Sequence, residues 1–429
     1  MRKIIADMEI LIRKARILDP STGTDTVSDL CISGQTIVGI GKNLRKKPGS
    51  VVLDGAGLWL LPGLIDLHCH LREPGNEEEE TILSGAQAAS SGGFTTICCH
   101  PNTEPPADNK VVVRYIFDRA HQAPIEVLPY GAITVGRKGV CLAPMGEMAE
   151  AGVVGFSDDG NCVMDSLIFR RALEYSKIFG RPVVSHSEDH NLSRNGVMNE
   201  GLLATKLGLR GIPREAETVM VYRDICLAGL TGGRLHLAHL STRESVEIVR
   251  RIKNKIPNVT CETTVHHLIL TEEALVDYDT NAKVNPPLRT RDDISALVSG
   301  IKDGTIDAIV TDHAPHSEEE KGSGMENAPF GMIGFETALP LALSLVKYGL
   351  KLLDILACLT VKPSRILGLP PRTLAAGARA DCVLFDPDKE WVYSRAAIRS
   401  KSKNSPFIGQ TLKGRCVCTI CRGEIVFKD

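Results

Sequence analysis

Apolar residues along this chain come in two textures. Up to about residue 60 they form short runs, at 10–12, 30–32, 37–40 and 51–53. Turn residues separate the runs at Asp19-Pro20, Ser33-Gly34 and Asp54-Gly55. Short apolar runs bounded by such residues read as β-strands. From about residue 373 the same texture returns, at 381–385, 391–393, 414–421 and 424–427. Neither stretch is long enough to bury a good core alone. The two chain ends, 1–60 and 373–429, are therefore expected to combine in one small β-sandwich.

Between them, short apolar strands alternate with amphipathic stretches of helical period. The strands are expected at 63–71, 95–99, 126–133, 153–157, 182–186, 234–240, 259–264 and 307–311. Helical stretches such as 166–179 and 242–253 separate them. Eight βα units over 61–372 predict a (β/α)8 barrel with enlarged loops. A doubly wound open sheet is the alternative. It is disfavoured because no Gly-x-Gly-x-x-Gly turn follows the first strand.

Composition narrows the function classes. The chain has 429 residues, 43% of them hydrophobic, enough for a sizeable core. Lys plus Arg total 50 against 52 for Asp plus Glu, a net charge of -2, and aromatic residues are 4%. That balance argues against a nucleic-acid binder. Residues 1–19 carry scattered charges, Arg2, Lys3, Asp7, Glu9, Arg13 and Lys14, with no apolar stretch of signal-peptide length. No stretch elsewhere is of membrane-spanning type. A cytoplasmic protein without a membrane partner is expected, and its 13 cysteines then count as reduced thiols. Cys416, Cys418 and Cys421 fall on one alternating strand, with Cys416 and Cys418 on a shared face. They read as buried packing residues rather than a metal cluster.

The chemistry sits at the strand ends. His68 and His70 lie two apart at the end of the first barrel strand, so both imidazoles project to one side. Cys69 points the other way. A lone His-x-His pair also arises from two core histidines. Here, however, the fourth strand ends in Asp158 and Asp159, and the fifth in His186 and Glu188. The sixth carries His236 and His239, and the eighth ends in Asp312, His313 and His316. In a closed barrel those ends form one rim. Imidazole and carboxylate suit Zn²⁺, with Mn²⁺ or Co²⁺ as replacements. The donors exceed the needs of one tetrahedral ion, so a two-metal centre is expected.

These motifs resemble the dihydroorotases of the amidohydrolase superfamily, of the longer bacterial and archaeal type. The resemblance covers essentially the whole chain. It is carried by Asp66-Leu67-His68-Cys69-His70-Leu71-Arg72-Glu73-Pro74-Gly75, Pro101-Asn102-Thr103, and Phe156-Ser157-Asp158-Asp159-Gly160. Asn285-Pro286-Pro287-Leu288-Arg289, Thr311-Asp312-His313-Ala314-Pro315-His316 and the stretch from Pro329 to Glu336 complete it. The resemblance implies two zinc ions per subunit, one held by His68, His70 and Asp312, the other by His186 and His239. Asp159, next to the glycine, would bridge them. Arg72, Asn102 and His316 would take the substrate's carboxylate. Asn285 and the backbone of Phe330 and Gly331 would meet the ring amide groups, with His70 also beside the substrate. Asp312 would be the catalytic proton carrier.

The implied reaction is reversible closure of N-carbamoyl-L-aspartate to L-dihydroorotate and water, in pyrimidine biosynthesis. Many relatives bridge their metals with a carbamylated lysine. The fourth strand here has none, which implies the aspartate-bridged branch. A hydantoinase or allantoinase is one alternative, and those relatives usually keep the lysine. A second is a non-catalytic scaffold for aspartate transcarbamoylase, a class that loses metal ligands. A single-metal deaminase is a third. A homo-oligomer, and aspartate transcarbamoylase as a partner, are implied as well. The chain departs from the family pattern at His100, Ser187 and Val265. The charged segment 317–324 follows Asp312 and His316 closely enough to serve as a lid.

Overall fold

Among the described residues the first strand is β1 (Glu9–Asp19), followed by β2 (Thr24–Ser33), β3 (Thr36–Gly41), β4 (Val51–Asp54) and β5 (Trp59–Pro62). The structure is a computed structural model and describes residues 9–429. Arg2, Lys3 and Asp7, and with them the first eight residues of the 1–60 segment, lie outside the described residues. β1 pairs antiparallel with β2, and parallel with β4 and then β5 along its length.

The barrel strands follow. They are β6 (Leu64–Cys69), β7 (Phe94–Cys99), β8 (Glu126–Pro129), β9 (Phe156–Ser157) and β10 (Val183–Ser185). After a small parallel pair in a loop, β11 (Met198–Asn199) with β12 (Gly211–Ile212), come β13 (Leu235–Leu237), β14 (Val259–Thr264) and β15 (Ala308–Val310). β6-β7-β8 form one parallel sheet and β9-β10-β13-β14-β15 another. Two parallel bridges join them end to end, Gly131 to Phe156 and Cys69 to His313. The eight strands thus close into a (β/α)8 barrel. The strand predicted over 126–133 stops at Pro129, because Gly131 already pairs onward to the next strand.

Helix starts are set by local chemistry. Thr81, Asn109, Asp165 and Thr242 cap the helices Ile82–Ser91, Lys110–Ala120, Ser166–Ser176 and Arg243–Ile252 through their side-chain oxygens. Each cap is worth about 1 kcal/mol. The helical stretch expected over 166–179 tightens into a 3₁₀ turn at Lys177–Phe179 before Gly180 ends it.

The chain closes with β16 (Cys382–Val392), β17 (Thr411–Cys421) and β18 (Glu424–Lys428). β16 pairs antiparallel with β5, so strands from both ends join one eight-stranded sheet, β18-β17-β16-β5-β1-β2-β3 with β4 on β1. Ile10, Ile12, Leu30, Ile32, Leu60, Leu384 and Ile420 fill the core of this β-sandwich. Here one expectation is corrected. Cys416 and Cys418 do not share a face. Leu384 pairs with Cys418 while its neighbour Phe385 pairs with Cys416, so Val417 is an extra residue in β17. Such a bulge reverses the alternation. Cys418 enters the sandwich core, and Cys416 and Cys421 face the main core. All three thiols are buried and free, and none belongs to a metal-competent group among the described residues.

A second bulge positions the chemistry. Three steps along β6, from Asp66 to Cys69, span two along β7, from Ile97 to Cys99, so β6 carries one extra residue. Ile65 and Leu67 lie in the apolar cluster with Cys98, Val184 and Val310. His100, His186 and Asp312 stand two residues beyond those last three. The extra residue in β6 turns His68 and His70 toward that same side.

Candidate metal centre

Asp159 occupies the middle of the site. Its Oδ1 lies 3.3 Å from His68 Nε2 and 3.5 Å from both His186 Nδ1 and His239 Nε2. Its Oδ2 lies 3.5 Å from His70 Nε2. Asp312 Oδ1 is 3.1 Å from His70 Nε2 and 3.6 Å from His68 Nε2. Two of the four metal-competent groups among the described residues are His68-His70-Asp312 and Asp159-His186-His239, all buried. Each of the six residues expected as ligands is in one of them.

The neighbours that remained ambiguous in sequence lie elsewhere. Asp158 accepts from the backbone of Ile133 at 2.8 Å and Thr134 at 3.1 Å, fastening the loop after β8. His236 contacts Thr260 Oγ1 at 2.8 Å and Glu262 Oε2 at 2.9 Å.

Outer carboxylates set the imidazole tautomers. Glu262 Oε1 is 2.8 Å from His68 Nδ1, and Glu188 Oε2 is 2.9 Å from His186 Nε2. Asn102 Oδ1 is 2.9 Å from His70 Nδ1. A proton on each of those nitrogens leaves the opposite lone pair aimed inward, the arrangement that orients metal-binding histidines. Burial pushes the carboxyl of Glu262 up, but His236 and His68 outweigh it and hold it below the usual carboxylate range. Glu188 is likewise held low against burial by His186. Burial disfavours a charged His186, yet Asp159 and Glu188 raise it to about 10. The site as a whole attracts positive charge.

The residues fit metal ions. His68 Nε2 and Asp159 Oδ1 are buried without a hydrogen-bond partner, and His186 Nδ1 faces His239 Nε2 at 2.8 Å. No Lys or Arg nitrogen pairs with the carboxylate of Asp159 or Asp312 among the described residues. Buried carboxylates left uncompensated are costly, and cations resolve that cost. The backbone is also strained here. Arg72, His239 and Asp312 have φ of 60°, 33° and 46°, the left-handed region that costs non-glycine residues about 1 kcal/mol or more.

Around this centre lie the other expected residues. Arg72 is buried; its Nε donates to Pro315 O at 3.1 Å and its Nη2 lies 3.1 Å from His316 Nε2. It also pairs with Glu79, Nε to Oε2 at 2.9 Å, a buried ion pair rather than a solvated one. His316 donates from Nε2 to Phe330 O at 2.9 Å. Burial, aided by Arg72 and Lys321, lowers its pKa to about 3, so it is neutral at pH 7. Asn285 donates to Glu188 at 2.9 Å.

Gly331 is already engaged. Its N–H goes to Lys283 O at 2.9 Å, and its carbonyl accepts from Lys321 Nζ at 2.9 Å and Asn404 Nδ2 at 3.1 Å. What singles it out is space. Its φ is +137° and an added Cβ would stand 2.6 Å from Ala314 Cβ. The segment after His316 is docked too. Ser317 caps the short helix Glu318–Lys321, and the buried Lys321 ammonium holds the carbonyls of Pro329 and Gly331. A cleft of about 760 Å³ opens beside the centre, lined by Gly160, Glu188, Asn285 and Phe330 together with Arg194, Arg210 and Lys283.

Sequence reasoning missed Glu262 and Glu79. Glu262 had a signal: a lone carboxylate inside the otherwise uncharged strand β14. Glu79 had none, being one of four consecutive glutamates.

Known proteins resemble this chain. The family profile described as Dihydro-orotase-like matches residues 57–245. A curated dihydroorotase of Geobacter sp. (strain M21) is 48% identical over 423 residues, covering 98% of this chain and 100% of that one. The chain belongs to the dihydroorotase family. A second dihydroorotase, from Syntrophotalea carbinolica, is 49% identical over 98% of this chain and 99% of its own. Among solved structures, the L-hydantoinase (dihydropyrimidinase) of Arthrobacter aurescens superposes with a TM-score of 0.87 at 23% identity, covering 98% and 96% of the two chains. The dihydropyrimidinase of Brevibacillus agri gives 0.85 at 23%, covering 98% and 95%. These last two establish the barrel-and-sandwich fold. Among the described residues, no helix is long and apolar enough to cross a membrane.

Proposed function

We propose that this chain is a metal-dependent dihydroorotase, interconverting N-carbamoyl-L-aspartate with L-dihydroorotate and water. The supporting observation is full-length identity of 48% to a curated dihydroorotase in a chain whose six candidate ligands converge on one buried point. We read the centre as two zinc ions, one on His68, His70 and Asp312, the other on His186 and His239, with Asp159 shared. The barrel, residues 61–372, is the catalytic domain, and residues 1–60 with 373–429 form the second. A cytoplasmic location is part of the same reading. Family resemblance supports a homo-oligomer with aspartate transcarbamoylase as a partner.

Metal held by these residues would supply a water of lowered pKa and polarisation of the carbonyl under attack. The chain's own groups do the rest. Asp312 takes the water's proton on a carboxylate oxygen and returns it to the ring nitrogen as the C–N bond breaks. Ring closure uses the same groups in reverse. Arg72 offers a planar fork to the substrate's carboxylate, with neutral His316 and the free amide of Asn102 beside it. Asn285 and Phe330 line the ring side, and Gly331 lets the backbone approach Ala314. Arg194, Arg210 and Lys283 make the adjoining cleft attractive to an anion.

Protein purified without chelator is expected to carry about two zinc equivalents per chain and to cyclise N-carbamoyl-L-aspartate. Full metal content without turnover would favour the scaffold reading. Turnover on hydantoin rings but not on dihydroorotate would favour the hydantoinase reading.

Arg72→Met separates these substrate classes further. Losing a charged hydrogen bond to a desolvated carboxylate costs about 1.5–3 kcal/mol. The variant should bind dihydroorotate roughly tenfold to a hundredfold more weakly. Binding of an uncarboxylated ring such as dihydrouracil should change little. Equal loss on both would make the Arg72–Glu79 pair structural.

A further inference from the structure

Among the described residues, His100 alone has both ring nitrogens buried and without a hydrogen-bond partner. A neutral imidazole carries one N–H and one lone pair. Burying such groups unpaired is costly. Something absent from the polypeptide is therefore expected to engage this ring. Its surroundings say what. His100 stands one residue beyond β7, its ring stacked on that of His68 with centroids 4.0 Å apart and planes 33° from parallel. One of its ligand atoms lies within 4.8 Å of those of His68 and Asp159. Those two residues own the other orphaned atoms of the centre, His68 Nε2 and Asp159 Oδ1. The ring also lies against those of Tyr130 and His70, with centroids 4.8 Å and 5.5 Å away.

We propose that His100 is an additional ligand of the centre, taking a divalent cation together with His68 and Asp159. The inference rests on the metal-centre reading above and adds a residue and a selectivity to it. A further imidazole raises the nitrogen share of the donor set. Nitrogen-rich sites favour zinc or cobalt, whereas manganese and magnesium favour carboxylate and water oxygens. His100 thus biases the shared position toward zinc.

The test is His100→Leu, with His100→Phe carrying the same comparison should leucine leave the barrel poorly folded. Zinc and manganese affinities are measured by chelator competition, cobalt-loaded protein by its visible absorption, and melting temperature with and without metal. Zinc affinity at one position should fall about tenfold to a hundredfold, with manganese affected far less. The cobalt bands should shift. Melting temperature should rise in metal-free protein, where an unpaired polar ring is removed, and fall in the metal-loaded protein, where a ligand is lost. Unchanged zinc affinity and cobalt absorption in a folded variant would overturn the proposal and leave His100 as packing. Failure of the unmodified protein to bind metal would instead remove the centre itself.

Discussion

Asp159→Ala is expected to lose at least one equivalent of metal and nearly all turnover. The reason is its position. One carboxylate stands 3.3–3.5 Å from a nitrogen of each of four histidines. Among the described residues no other carboxylate pairs with histidines of both groups, and Asp312 approaches only His68 and His70. Its own carboxyl, which burial pushes up, is held well below the usual range by His68 and the other imidazoles around it. It therefore stays ionised and draws cations into a buried place. Alanine leaves the inner nitrogens of His186 and His239 without a carboxylate, since Asp312 stands against His68 and His70. The neighbouring Asp158→Ala is the control. Asp158 serves the backbone of Ile133 and Thr134. Its loss should lower stability by about 1–3 kcal/mol for buried donors left unpaired, while metal content holds. Metal content by elemental analysis, with turnover and melting temperature, distinguishes the two. Full zinc and normal turnover in Asp159→Ala would rule out the shared ligand.

Much of this was legible in the chain, for physical reasons that differ by residue. His68 and His70 announce themselves because the two-residue period of a strand is short-range and survives without knowledge of the fold. Asp312 and His239 become candidates once strand ends are expected to share a rim, but the choice of His239 over His236 comes from the family resemblance. The partners were harder. Glu262 reaches across the barrel to His68, 194 positions away, and nothing local ties the two. Asp158 and Asp159 are chemically identical neighbours, and only the surrounding backbone donors decide which is consumed structurally. The bulges in β6 and β17 are likewise invisible to simple alternation. The first rotates the histidines onto the side of Ile65 and Leu67, and the second sends Cys416 and Cys418 to opposite faces. The 317–324 segment, charged and close behind His316, reads in sequence as a lid. Yet Lys321 turns inward onto two carbonyls, a satisfaction of backbone acceptors that composition does not reveal.

Asp312→Asn carries the mechanistic claim. Asparagine keeps an oxygen where Asp312 Oδ1 now sits, 3.1 Å from His70 Nε2 and 3.6 Å from His68 Nε2. It cannot take a proton at neutral pH. The fold and much of the metal should therefore remain while proton transfer fails. A positioned general acid/base contributes typically 10²–10⁴-fold, so kcat should fall by about that factor with KM changed far less. In the native chain burial pushes the Asp312 carboxyl up, but His68 and His70 hold it below the usual carboxylate range. It is thus an ionised base across neutral pH. Turnover governed by it is kept above its pKa and lost as pH falls through it, and that acid limb should vanish in the variant. Two other histidines follow it in sequence. His313 is committed elsewhere. Its Nδ1 accepts from Gly334 N at 3.2 Å, its Nε2 lies 3.4 Å from Glu80, and its ring stacks on Phe335 at 3.9 Å. His316 is neutral and keeps an unpartnered Nδ1. Turnover that survives Asp312→Asn with its pH dependence intact would therefore move the proton to His316, and His316→Ala in the same background should then abolish it.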